Sequence, residues 1–261
     1  MALWLRFARG GTAGFGTLEG DAVRVFAGDL FDAPRPTGET VPLASVRVLT
    51  PTWPGKLIGL VNNFRAAAEK QGLPIPAEPL YFLKAQTSYL AHGEPIRLPA
   101  GNVGKVIYEG EIGVVIGRET RRVAESDADR FIFGYTCVND VTALDLIGRD
   151  PAFAQWTRAK SFDTFGPFGP VIATGLDPMK LTVRTLVKGS VRQEYPVSDM
   201  IFGPRALVSL LSHEQTLLPG DVISCGTSLG IGVLRPGRTV EVAIDGIGVL
   251  ANPVEGMEPA A

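Results

Sequence analysis

Tyr108–Gly117 reads YEGEIGVVIG, and about thirty residues on Cys137–Asp145 reads CVNDVTALD. The run Ile112, Val114, Val115, Ile116 is almost continuously apolar, as in a strand buried on both faces. We therefore expect one strand over Val106–Gly117 and another over Phe133–Asn139. Successive side chains on a strand alternate faces, so Glu109 and Glu111 share a side, about 6.6–7 Å apart at Cα. Asp140 closes the second strand. A Glu-X-Glu pair on a strand is more often a solvated face, but buried carboxylates without a cation or partner are costly. Three hard oxygen ligands on a rigid sheet suit Mg²⁺, Mn²⁺ or Ca²⁺. Coordination positions left open would serve a catalytic ion.

Outward from this core the chain reads as β-rich (α+β) with short helices. Residues 1–54 are expected to form a small N-terminal β domain, with Ala33–Thr40 (APRPTGET) as a loop; residues 55–261 form the main domain. Asn62–Gln71 reads as an Ala-rich helix capped by Gly72. Tyr81–Lys84 reads as a strand, and Ala124–Phe131 and Pro204–Ser212 as helices. Lys188–Ser190 and Asp245-Gly246 mark hairpins.

With 261 residues and 45% hydrophobic content, a large core can form; 31 glycines and 20 prolines favour strands joined by tight turns. A net charge of -2 without a Lys/Arg tract gives nucleic-acid binding no support. No apolar run approaches a membrane span. Arg6 and Arg9 follow a start too short for a signal peptide. Two cysteines, Cys137 and Cys225, read as core residues and fit a reducing cytoplasm. His92 and His213 read as structural or solvated.

Two further motifs carry possible chemistry. Lys160, in AKSFDTFGPFGP, could stand beside the acidic trio and stabilise an enolate, or be a surface lysine. GTSLGIG, Gly226–Gly232, could offer amides and hydroxyls to an anion, or be an ordinary turn.

Taken in order, LIGLVNNFRAAAE, EPLYFLK, IRLP, YEGEIGVVIG, GYTCVNDVTALD, AKSFDTFGPFGP, QEYPVSDMIF, LLPGDVISCGTSLGIG and VEVAIDGIGVLANPV resemble the fumarylacetoacetate hydrolase (FAH) family, over about residues 55 to 254. The resemblance implies a mixed β-roll fold, usually a homodimer, with Mg²⁺ or Mn²⁺ held at Glu109, Glu111 and Asp140. It implies Lys160 as the metal-site lysine, Gly226 and Thr227 as receivers of a substrate carboxylate, and Lys84 facing substrate. Family activities are hydrolysis of β-diketo acids and acylpyruvates, decarboxylation of 2-oxo acids, and isomerisation of unsaturated 2-hydroxy dioates.

Two departures qualify this. The family's lid pattern, Asn-Tyr-x-x-His-x-x-Glu, falls on Asn62–Glu69. Glu69 then matches, as a candidate base, while Ala66 stands at the water-activating histidine. Arg65 could bind a substrate carboxylate. After Asp140, Leu144 replaces a family arginine, implying a less acidic or more apolar substrate. The expectation is a divalent-metal enzyme acting on a 2-oxo or β-diketo carboxylic acid, by C–C hydrolysis or decarboxylation. Alternatives are an isomerase, tautomerase or lyase, and a member that binds a metabolite without turnover.

Overall fold

The computed structural model describes residues 1–256. The strands that matter here are β1 (Leu3–Arg9), β2 (Thr12–Glu19), β3 (Ala22–Asp29), β4 (Asp32–Pro42), β5 (Leu57–Val61), β6 (Leu80–Lys84), β7 (Gly110–Ile116), β8 (Ile132–Asn139) and β9 (Gly166–Ala173). They continue with β10 (Thr182–Val187), β11 (Ser190–Pro196), β12 (Val222–Ser224), β13 (Thr239–Ile244) and β14 (Gly248–Glu255). Helices α1 (Arg65–Gln71), α2 (Trp156–Lys160) and α3 (Pro204–Glu214) are short. None of the described helices is long and apolar enough to cross a membrane.

A 12-stranded sheet runs β4-β3-β2-β1-β9-β8-β7-β12-β5-β6, with two short strands beside this path. The N-terminal meander joins it where β1 pairs with β9, Leu3 opposite Ala173. The loop expected at Ala33–Thr40 lies within β4 instead. Its prolines lack the donor a central strand needs, but β4 ends the sheet, where an edge tolerates them. A second sheet runs β11-β10-β13-β14 and ends on Ile96–Arg97. Ile112 and Val114 of β7 share one core cluster with Val183, Val242 and Leu250 of that sheet. With β7 buried along its whole length, the continuous apolar run has its cause.

The Lys188–Gly189 turn has positive φ at both residues (54° and 70°), as a tight hairpin requires. Gly72 caps α1 in the left-handed region, its N–H reaching Ala68 and Glu69 carbonyls. The helix expected at Ala124–Phe131 is a 3-10 helix over Glu125–Arg130. Cys137 and Cys225 are buried and free.

His92 fastens β14, the last of the described strands: its Nδ1 accepts the Ala251 N–H at 3.1 Å. Burial pulls the imidazole below its ordinary 6.5, against the hydrogen bond to the Val249 backbone. A depressed folded value means that protonation favours the unfolded chain, so this contribution is complete above pH 6.5 and declines as pH falls below it. The urea midpoint is expected to be higher at pH 8 than at pH 5.5, and His92→Gln, which keeps an acceptor but cannot titrate, should narrow that difference.

Candidate metal centre

β7 and β8 pair antiparallel, with Gly110 opposite Asn139 and Glu111 opposite Val138. Just past this register, the Asp140 N–H donates to the Glu109 carbonyl (2.8 Å). Glu109 is a corner. Val106–Tyr108 pairs with Thr142–Ala143 and Gly232–Val233, while β7 stays in the large sheet. The single strand expected over Val106–Gly117 is therefore two, broken where the chain changes sheets. The Glu109 N–H is held there by Asn139 Oδ1 (3.1 Å). One carboxylate oxygen from each of Glu109, Glu111 and Asp140 lies within 4.8 Å of the others.

Two lysines enter the same space. Lys160, at the end of α2, places Nζ 2.5 Å from both Glu109 Oε2 and Asp140 Oδ2. Its ammonium also lies 4.8 Å from the centre of the Phe82 ring, a favourable cation–π distance. Lys84, from β6, sits 2.5 Å from Asp140 Oδ1 and donates to the Val141 carbonyl. Fully ionised, three carboxylates and two ammonium groups sum to -3 + 2 = -1.

Burial lifts the Glu111 carboxyl well above the usual carboxylate range, reinforced by the charges of Asp140 and Glu109. Burial lifts Glu109 too, with Lys160 opposing. Burial also works against an ionised Asp140, but Lys160 and Lys84 outweigh it and hold that carboxyl low. Lys160 stays protonated: its burial is overcome by Asp140 and Glu109. Burial pulls Lys84 down against the lift from Asp140. Its contacts, a carboxylate on one side and a carbonyl on the other, stabilise the ammonium form. A divalent cation fits this donor set, because it matches hard oxygens and supplies the charge that Glu111 lacks.

The sequence reading missed the groups that hold the carboxylates. Ser224 Oγ (2.5 Å) and the Gly226 N–H (2.8 Å) both donate to Glu111 Oε2. Thr142 Oγ1 donates to Glu109 Oε2 (3.0 Å). Gly226 thus spends its amide on Glu111 rather than leaving it free for an anion, at a φ of +90° that favours glycine. Thr227 Oγ1 donates to the Gly110 carbonyl and accepts from Gln193 Nε2. Tyr195 donates to the same carbonyl. Lys84, expected to face substrate, is 3% exposed and braces Asp140. Ser224 ends an apolar strand and Gln193 lies in a hairpin arm, so only their place in the sheets reveals them.

A cavity of about 270 Å³ opens on this cluster, with Glu109, Glu111, Lys160 and Thr227 in its wall. A larger one, about 490 Å³, lies at the start of α3 and shares no residue with it, so the chemistry assigns the site to the smaller. The helix α1 covers the cavity with Ala67 and Gln71. Glu69 and Arg65, expected at the site, are exposed and do not line it. Each is two residues from Ala67, about 200° around the helix. Ala66 turns its N–H to Asp199 Oδ2 (3.0 Å). Started one residue later, at Asn63-Phe64, the same pattern puts Ala67 at the histidine position and Lys70 at the glutamate, and Ala67 is the alanine of the two that lines the cavity.

Residues 56–255 match the fumarylacetoacetate (FAA) hydrolase C-terminal family model, and residues 3–51 match an Rv2993c-like N-terminal model. The crystal structure of 2-hydroxyhepta-2,4-diene-1,7-dioate isomerase from Mycobacterium marinum superposes with a TM-score of 0.90 at 40% identity, over 98% of this chain and 99% of that one. The structure of 5-carboxymethyl-2-hydroxymuconate delta-isomerase from Mycobacterium smegmatis gives 0.90 at 40% identity, over 98% and 100%. Oxaloacetate tautomerase YisK of Bacillus subtilis is 37% identical over 210 residues, 76% of this chain and 69% of that protein.

Removing one brace should cost stability without removing a carboxylate. Lys84→Met is expected to lower the unfolding free energy by roughly 3 kcal/mol in urea denaturation, the lower end for breaking a buried pair because Lys160 still faces Asp140. Ser224→Ala should leave folding intact and weaken Mn²⁺ binding by about 10–100-fold in calorimetry, as losing a group that orients a ligand does.

Proposed function

The chain belongs to the fumarylacetoacetate hydrolase family, and from that premise we propose that it is a divalent-cation-dependent isomerase interconverting the keto and enol forms of a 2-oxo carboxylic acid. Mg²⁺ or Mn²⁺ held by Glu109, Glu111 and Asp140 would act as a Lewis acid toward the substrate's 2-oxo and carboxylate oxygens. Lys160 adds a fixed positive charge where negative charge develops on the enolate oxygen. Asp140 and Glu109 keep the proton on its Nζ, so its part is charge stabilisation rather than proton abstraction. Ser224, Gly226 and Thr142 hold the carboxylates still, which limits reorganisation as charge builds.

The observation that carries this reading is Ala67. Hydrolysis needs a positioned, activated water. Of the two residues that α1 presents to the cavity, Ala67 offers a methyl group and Gln71 an amide, neither of them a base, and Glu69 lies off that face. Tautomerisation moves one proton from C3 to the 2-oxo oxygen, with solvent water as the carrier that accepts it and gives it back, and needs no water positioned for attack on a carbonyl carbon. The isomerase and tautomerase relatives support the same choice over the C–C hydrolysis first expected from the sequence.

The test is hydrogen–deuterium exchange at C3 of oxaloacetate and of 4-methyl-2-oxopentanoate, followed by proton NMR with Mg²⁺-loaded protein. Accelerated exchange without cleavage products is expected; stoichiometric release of a second acid would overturn the reading. The double variant Ala67→His, Lys70→Glu should gain hydrolysis of an acylpyruvate by about 100-fold or more, the scale of a restored general base.

A further inference from the structure

The two ends of the cavity differ in chemistry. At its floor lie Glu109, Glu111 and Lys160. The rest of the wall is mostly apolar, with Val61, Leu73, Leu144, Ile147, Trp156 and Ile231, and its polar groups, such as Asn62 and Gln71, are uncharged. Among the described residues lining the cavity, Lys160 is the one cation, and Glu109 and Asp140 already hold it. Among the described residues, no arginine or histidine lines this wall. A second carboxylate on the ligand would lose water there without meeting a positive partner, which is strongly unfavourable.

The apolar wall is also incompletely covered. Leu73 is 44% exposed, Leu144 38% and Ile231 42%. Large apolar side chains left open around a concave site are surface that a ligand's own apolar part can bury. Trp156 is preset for this: its ring stacks on Phe82 at 10° between planes. The amide of Asn62 adds to the same argument. Its Nδ2 donates to the Pro74 carbonyl, while its buried Oδ1 has no partner. That oxygen offers a ligand an acceptor, which a carboxylate cannot use.

We infer that the substrate is a 2-oxo monocarboxylate with a hydrocarbon tail, branched or aromatic, rather than a dicarboxylate, and that Leu144 is a residue selecting it. The inference rests on the reading above for the head of the molecule, with the 2-oxo carboxylate at the acidic cluster. The tail then lies against Leu144, Ile147 and Trp156. Each methylene it buries is worth about fourfold in affinity. A terminal carboxylate reverses the gain.

The test uses three non-reacting ligands that share one head: oxamate, N-butyloxamate and N-(3-carboxypropyl)oxamate. Their affinities for the Mg²⁺-loaded protein are compared by calorimetry. N-butyloxamate should bind at least tenfold tighter than oxamate and at least tenfold tighter than the carboxypropyl compound. Equal or tighter binding of the carboxypropyl compound overturns the inference. Leu144→Arg, at a half-open position that tolerates a long side chain, should reverse the order of the last two; an unchanged order overturns the role of Leu144. Deuterium exchange at C3, measured on the same preparation, separates the two readings. If no 2-oxo acid exchanges, the isomerase assignment fails, while the affinity order still decides the tail. Failure of all three ligands to bind overturns the head assignment and the tail inference together.

Discussion

Five charged side chains share one water-poor space between β-strands, and the arrangement around them follows from that. Glu109, Glu111 and Asp140 face Lys84 and Lys160, one negative charge in excess. Isolated ions cannot be buried at tolerable cost, so each carboxylate needs both a counter-charge and hydrogen-bond donors. The fold supplies donors to Glu111 from β12 and the turn after it and to Glu109 from Thr142, and β6 and α2 bring lysines to Asp140 and Glu109, which leaves Glu111 without a lysine partner. The corner at Glu109 is what lets two sheets contribute to one site.

The same cluster divides labour within the cavity. Its floor is charged and rigid, suited to a head group that gathers negative charge. Its outer wall is mostly hydrocarbon with a few uncharged polar groups, and a methyl at Ala67 where water activation would need a base. This division is what the proposed isomerase needs: a place to stabilise an enolate without cleaving its carbon skeleton.

Much of this was legible in the sequence because the signals were local. The apolar run after Glu111 marked a strand buried on both faces, and the spacing of Glu109 and Glu111 drew attention to both, though they meet across a corner rather than along one strand. Asp140 followed from the end of the next strand. What failed to read depends on tertiary placement. The break at Glu109 arises from a change of sheet, invisible in a continuous apolar pattern. β4 carries prolines that look like a loop until its edge position is known. The lid slipped by one residue because Asn62 and Asn63 offer two starts to the same pattern; only the helix face turned to the cavity separates Ala67 from Ala66. Gly226 looked free to receive an anion, yet its amide belongs to Glu111, a partner 115 positions away.

The central claim is that this buried cluster is a divalent-cation site. Anomalous diffraction from a crystal soaked in Mn²⁺ tests it most directly. A cation site gives one strong manganese peak among the carboxylates of Glu109, Glu111 and Asp140, with Lys160 drawn away from at least one of them. A peak elsewhere, or none at the cluster with the Lys160 contacts intact, would contradict it.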